Sequence, residues 1–359
     1  MNGLKGKMRT FEREGEDLLK KANKLCEKEG VDGWKLAQTE MLRKRTVTPE
    51  LKEAIEFVML EYKPDYFRPA LLSLCSKAVG GTSESTLSIA ASLVLLGRAI
   101  GVHDDIIDQS RAKNRRPTVQ GKFGKNLALV VSDVLLFTGF TSLRKALQHG
   151  MSTSIITSIL GTIEEIWFEQ SEGEVLELKS RRRMDLTPQE CLDKIRMRAS
   201  ELEAITRIGG ILGCGSQGEI KALGEFGRLL GTMSILRDEI IDMLELRVLK
   251  HRIIKESLPI PLVYALQHST SRQKILPRIA KERLTTLDLK EILKASEEAE
   301  GLNSVAKLIM KFSGEASSCV ETLEFKNKEL KLLASSIRIA PKDWKPLVQT
   351  MQFPSSKNF

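Results

Sequence analysis

Two matched acidic clusters are the part of this chain most able to do chemistry. Asp104, Asp105 and Asp108 close a long apolar run, and Asp238, Glu239 and Asp242 repeat the same i, i+1, i+4 spacing further along. On a helix, the first and last members of each set lie one turn apart on a shared face, with the middle one beside them. Carboxylates crowded in this way are costly unless a cation sits against them. An all-oxygen donor set suits a hard divalent ion, most naturally Mg2+ shared with a phosphate. One such cluster is a weak signal, whereas two of identical spacing point to a clamp for a metal–phosphate group. The four histidines are dispersed and lack metal-ligand spacing, so His103 is read as a capping or packing residue.

The elements that must position these residues read as helices throughout. Residues 9–30 place Phe11, Leu18, Leu19, Ala22 and Leu25 at three-and-four spacing. Thr48-Pro49 is a helix start, Pro64 a break, and Pro69 opens a helix that ends near Gly80-Gly81. Ser83 to Asp108 is a long apolar helix whose stripe of Ile89, Leu93, Leu96 and Ile100 delivers the first cluster. A basic loop covers 111–125. Helices are then predicted over 126–149, 151–180, 187–213 (from Thr187-Pro188), 219–249 and 257–268, with helical patterning to about 335. The stretch Leu127 to Leu143 is interrupted by Asp133 and reads as a buried helix rather than a membrane span. Pro341, Pro346 and Pro354 mark an irregular tail from about residue 336. No repeat or Gly/Ser linker divides the chain, so residues 1–359 are expected to form one all-α helical bundle around a deep apolar cavity.

Composition narrows the class. With 42% hydrophobic and 29% charged residues, the chain is neither disordered nor fibrous. Its cysteines (Cys26, Cys75, Cys191, Cys214, Cys319) are scattered, odd in number and never in a C-x-x-C pair. That pattern fits a reducing compartment better than a disulfide framework or a zinc site, and with no apolar leader at the N-terminus the expected location is cytoplasmic. The net charge of +9 is spread along the chain, aromatic residues make up 5%, and no nucleic-acid-binding motif accompanies it. An anionic small substrate, or loose attraction to an anionic membrane surface, accounts for the charge instead.

These motifs, in this order, resemble the trans-isoprenyl (polyprenyl) diphosphate synthase family. His103-Asp104-Asp105-Ile106-Ile107-Asp108 is similar to its H-D-D-x-x-D motif, followed at family spacing by a basic segment ending in Pro117-Thr118. Phe226-Gly227-Arg228-Leu229-Leu230-Gly231 with Arg237-Asp238-Glu239-Ile240-Ile241-Asp242 resembles F-G-x-x-L-G-x-x-F-Q-x-R-D-D-x-x-D. Pro259 to Leu266 resembles the helix that follows, and Gly173, Glu174 and Glu177 resemble the G-Q-x-x-D/E helix. The likeness runs from about residue 50 to 270. It implies a class I isoprenoid synthase fold, a homodimer, and Mg2+ (three ions per site, with Mn2+ able to substitute). Asp104, Asp105, Asp108, Asp238, Glu239 and Asp242 are then the metal-binding, catalytic carboxylates. Lys113, Arg198 and Lys255 are expected to hold an allylic prenyl diphosphate, and Ala99 and Ile100, with Gly101, to line the pocket for its tail, here open to C20 or longer.

The departures fall mainly at the family's site for isopentenyl diphosphate. Its G-G-K-R-x-R-P segment corresponds to Tyr62-Lys63-Pro64-Asp65-Tyr66-Phe67-Arg68-Pro69, where Asp65 and Tyr66 replace the Lys-Arg pair and Arg68 remains as a substrate-binding candidate. Gly97 replaces a histidine. Lys113 and Asn114 replace two arginines, Arg198-Ala199 a Lys-Thr pair, and Ser234-Ile235 a Phe-Gln pair. The expectation is an isoprenoid synthase that ionises a long-chain allylic diphosphate, releases pyrophosphate and uses an acceptor other than isopentenyl diphosphate. An ordinary chain-elongating synthase, a terpene cyclase and a non-catalytic subunit of a heteromeric synthase remain alternatives. Against the cyclase, Asp242 stands where the N-S-E type motif has Ser or Thr. Arg115, Arg116, Lys250 and Lys255 are read equally well as surface charge.

Overall fold

The computed structural model describes residues 2–82, 86–113, 116–148 and 150–338, so Ser83, Asn114, Arg115 and the proline-containing tail lie outside it. Helix α1 spans Asn2–Leu42, well beyond the periodic stretch that announces it. Helix α2 (Pro49–Glu56) starts with Pro49 in its first turn, although Thr48 makes no side-chain cap, and it continues into a π-helical turn over Phe57–Glu61. Then come α3 (Phe67–Ala78) and α4 (Leu87–Ile107), which ends on the first acidic cluster.

The basic loop is more ordered than its composition predicts. Ala112–Lys113 and Arg116–Pro117 pair as a short antiparallel ladder, β1 and β2, and Thr118 caps a one-turn helix, α5 (Val119–Phe123). Helices α6 (Lys125–Gln148) and α7 (Thr153–Ser180) follow. The helix predicted over 187–213 is two: α8 (Pro188–Arg198), with a full Thr187/Glu190 capping box, and α9 (Ser200–Leu212), broken at Ala199. Helix α10 (Gln217–Leu244) carries the second cluster near its end, and α11 (Leu246–Lys255) and α12 (Ile260–Leu266) succeed it. The bundle closes with α13 (Ser269–Ile279), α14 (Thr286–Glu298), α15 (Gly301–Cys319) and α16 (Asn327–Ser336).

Helix α10 packs along α9 and α15, while α4 packs along α6 on one side and α1 on another. One apolar core joins α3, α7, α9, α10 and the C-terminal helices; a second lies between α1, α2, α4 and α6. Helix α6 is less buried than its sequence suggests. Its inner face packs on α4, but Leu129, Val130, Phe137 and Phe140 face outward, Phe137 at 69% exposure. By length and composition alone α4 and part of α6 could cross a membrane, yet each is packed against the other here.

Helix α10 packs tightly on the α8–α9 junction at Ala199. α10 crosses there with Gly231, where an added Cβ would stand 2.7 Å from the Ala199 carbonyl oxygen. Overpacking so tight a contact costs about 1–3 kcal/mol. Gly231→Ala should lower unfolding stability by that amount in urea titration; an unchanged midpoint and slope would contradict this account of the α8–α9 junction.

Candidate functional site

Both acidic clusters sit in the last turns of their helices, α4 and α10. A helix C-terminus carries partial negative charge from its free carbonyls, so anions placed there are doubly disfavoured. The structure answers with cations from other elements. Lys113, on β1, meets Asp105 at 2.7 Å. Arg181, just past α7, donates to the Ile107 carbonyl at 3.0 Å and meets Asp108 at 3.3 Å. Arg198, the last residue of α8, meets Glu174 at 3.4 Å and feels Asp104 and Asp108 as well. Gly173 makes room for it, since a Cβ there would stand 3.0 Å from the Arg198 Cγ. Behind it, Lys194 and Glu177 form a buried pair at 2.6 Å, with Ser257 bonded to both.

The two clusters share one site. Lys113 interacts with Asp104, Asp105, Asp108 and Asp238. His251 on α11 bonds the Asp108 carbonyl at 2.9 Å, tying the segment after the second cluster to the end of the first. Burial raises the pKa of Asp104 and of Asp105. Burial and then Glu256 push Asp108 up to about 7. Burial in the cleft and then Asp242 push Asp238 up to about 6, although one side of its chain meets solvent. Glu177 moves the other way, to about 2: Lys194 and Arg198 hold its carboxylate ionised against the burial that opposes it.

Arg252 was not singled out in the sequence, yet it dominates the second cluster. Its guanidinium meets Glu239 at 2.6 Å, Asp242 at 2.7 Å and Glu256 at 2.8 Å. The other Glu239 oxygen accepts from the Ile260 amide at 2.9 Å. Expected as a metal ligand equal to its neighbours, Glu239 therefore has both oxygens engaged by protein. The signal that could have found Arg252 is its place one α11 turn before Glu256, on the side that returns toward α10.

Other expected positions separate. Lys255 is exposed and makes no hydrogen bond or ion pair among the described residues. Ala99 is fully buried on the side of α4 that packs on α6, where its carbonyl accepts from Ser132 at 2.9 Å. Its neighbour Ile100, about 100° round the helix, does line an apolar pocket with Leu96, Ile163, Trp167 and Ile205. That pocket holds about 40 Å³ and opens to the outside between α4, α7 and α9. His103 lies 3.9 Å from Asp133 of α6, and Arg116 bonds the Glu61 carbonyl.

Arg68 is held internally. Asp65 receives its Nη1 at 2.7 Å and Glu201 receives Nε and Nη2 at 2.6 and 3.1 Å. Its stem crosses Gly97, where any Cβ would stand 2.4 Å from Nε.

The donor set suits Mg2+ in a particular way. Among the described residues, no three Asp, Glu, His or Cys side chains converge into a cage that would hold an ion unaided. Mg2+ keeps several waters and is commonly held by one or two carboxylates together with substrate phosphates. Asp104 and Asp238, whose carboxylates make no hydrogen bond or ion pair among the described residues, fit that mode.

A family model for polyprenyl synthetases matches residues 49–296. The chain belongs to the polyprenyl synthetase family. Among curated members, it is 30% identical over 177 residues to the short chain isoprenyl diphosphate synthase of Methanothermobacter thermautotrophicus, covering 49% of this chain and 53% of that one. It is 29% identical over 223 residues to the octaprenyl diphosphate synthase of Escherichia coli, covering 60% and 66%. The matched region thus spans about half to two thirds of these relatives. A polyprenyl synthase from Caulobacter crescentus CB15, crystallised with calcium and isoprenyl diphosphate, has the same fold, with TM-score 0.75 at 16% identity over 89% of this chain and 97% of that one.

The carboxyl shifts set a pH dependence. Asp108 and Asp238 hold protons more tightly folded than unfolded, so their contribution to stability is present at acid pH and is lost as pH rises through about 6 to 7. His251, raised by its bond to Glu256, acts in the same direction. The metal-free protein should therefore melt at lower temperature at pH 8 than at pH 5.5. A divalent ion competes with those protons, so the rise in melting temperature on adding Mg2+ with pyrophosphate should be larger at pH 8. Equal rises at both values in a thermal-shift titration would refute the assignment.

Proposed function

We propose that this polyprenyl synthetase family member is an Mg2+-dependent prenyltransferase that binds an allylic prenyl diphosphate and ionises it, releasing pyrophosphate. The observation that carries the reading is the pair Asp104 and Asp238, two carboxylates with no protein partner among the described residues, near helix C-termini and both within the field of Lys113. Asp104, Asp108 and Asp238 would hold the ions. Mg2+ bound there would draw charge off the leaving diphosphate, so that the allylic C–O bond breaks without a protein nucleophile. Lys113, Arg198 and Arg181, the cations paired with the acidic residues of the site, would bind and orient the diphosphate oxygens. Ile100 and Trp167 offer the hydrocarbon an apolar wall that excludes water from the cation.

For the acceptor, the names of the relatives favour chain elongation with isopentenyl diphosphate over the alternatives. The contacts of Arg68 support a second reading, in which the acceptor carries no diphosphate. Asp65 and Glu201 already occupy the guanidinium, and freeing it for an anion would strand two carboxylates.

Purified protein with Mg2+ and labelled C10 to C25 allylic diphosphates, with and without isopentenyl diphosphate, tests both. Longer products only in its presence sustain elongation; hydrocarbon or alcohol in its absence sustains the second reading. No turnover of any substrate overturns the proposal, and turnover that needs an added synthase subunit makes this chain a partner. Asp104→Asn should lower kcat by roughly 10²- to 10³-fold, the scale of losing a preorganised electrostatic contact.

The reading includes a homodimer. Phe137 and Phe140 of α6 and Leu160 and Phe168 of α7 form an outward apolar face, with Phe140 and Trp167 in ring contact at 6.4 Å. Light scattering should give a dimer that Phe137→Glu/Phe168→Glu converts to monomer; a monomeric wild-type protein at micromolar concentration would remove this element.

A further inference from the structure

Helix α11 is held at two places on the site. Arg252, itself buried, joins it to Glu239 and Asp242 of α10, and His251 joins it to the Asp108 carbonyl of α4. Glu256 lies between them, 2.8 Å from Arg252 and 3.3 Å from His251. Glu239 in turn receives the Ile260 amide and so fixes the start of α12. A planar guanidinium that forks between two carboxylates fills the place a divalent ion would otherwise take, with fixed geometry and no exchange.

We propose that Arg252 is a built-in cation of the second cluster and the latch of an α11 strap. It reserves Glu239 and Asp242 for structure and leaves Asp238 as the carboxylate of that cluster that takes up an ion. Arg252 is thus a positioning residue, acting through the segment that runs from Asp238 to Ile260. This inference rests on the reading of the site as a binder of magnesium and pyrophosphate, and it separates two neighbouring acids that the motif treats alike.

Thermal shift and calorimetric titration with Mg2+ alone, and with Mg2+ plus inorganic pyrophosphate, test it. Glu239→Gln should melt at lower temperature than wild type without metal yet keep the wild-type rise on adding Mg2+ and pyrophosphate. Asp238→Asn should do the reverse, with unreduced metal-free melting and most of the rise lost. Arg252→Lys cannot fork; it should lower metal-free melting and bind Mg2+ alone several-fold more tightly, because Glu239 and Asp242 are released. A Glu239→Gln protein as stable as wild type but without the rise would overturn the inference. So would Arg252→Lys with metal-free melting and Mg2+ affinity both unchanged, and this variant decides the matter if Glu239→Gln does not fold. A wild-type protein that fails to respond to Mg2+ and pyrophosphate sinks the underlying reading instead, while the metal-free melting of the same variants still reports on the latch.

Discussion

Six carboxylates gathered in the last turns of two helices form the constraint around which this molecule is built. Each cluster adds full negative charges to carbonyls that already carry partial ones, so neither helix would end this way without compensation. Much of the surrounding architecture supplies it. The break at Ala199 ends α8 on Arg198, the β1–β2 ladder carries Lys113, and the turn after α7 carries Arg181. Direct pairing stops short at Asp104 and Asp238, whose carboxylates feel these cations only at a distance.

The fold was readable because helical periodicity and stop signals survive in almost every segment, and Thr187-Pro188 even marks its capping box. What stayed hidden depends on contacts between segments distant in sequence. No local pattern predicts that 187–213 breaks at Ala199, where Gly231 of another helix packs against the junction. The acidic clusters could be found by spacing, but the unequal fate of Asp238 and Glu239 could not, because Arg252 and the Ile260 amide reach only one of them. Ala99 and Ile100 show the same limit at finer scale: adjacent residues, one facing α6 and the other a pocket, divided by a single helical step. Lys255 was expected to hold the diphosphate, yet the cation against the second cluster is Arg252, three residues earlier.

The contact of Arg68 with Gly97 also limits what can change around it. Arg68 can cross α4 because position 97 has no side chain, and Glu201 and Asp65 hold it there. A side chain at 97 would collide with the guanidinium; displacing the guanidinium first would leave two acids facing each other without their cation. Positions 65, 68, 97 and 201 therefore form one coupled unit, in which no member can be exchanged without disturbing the other three.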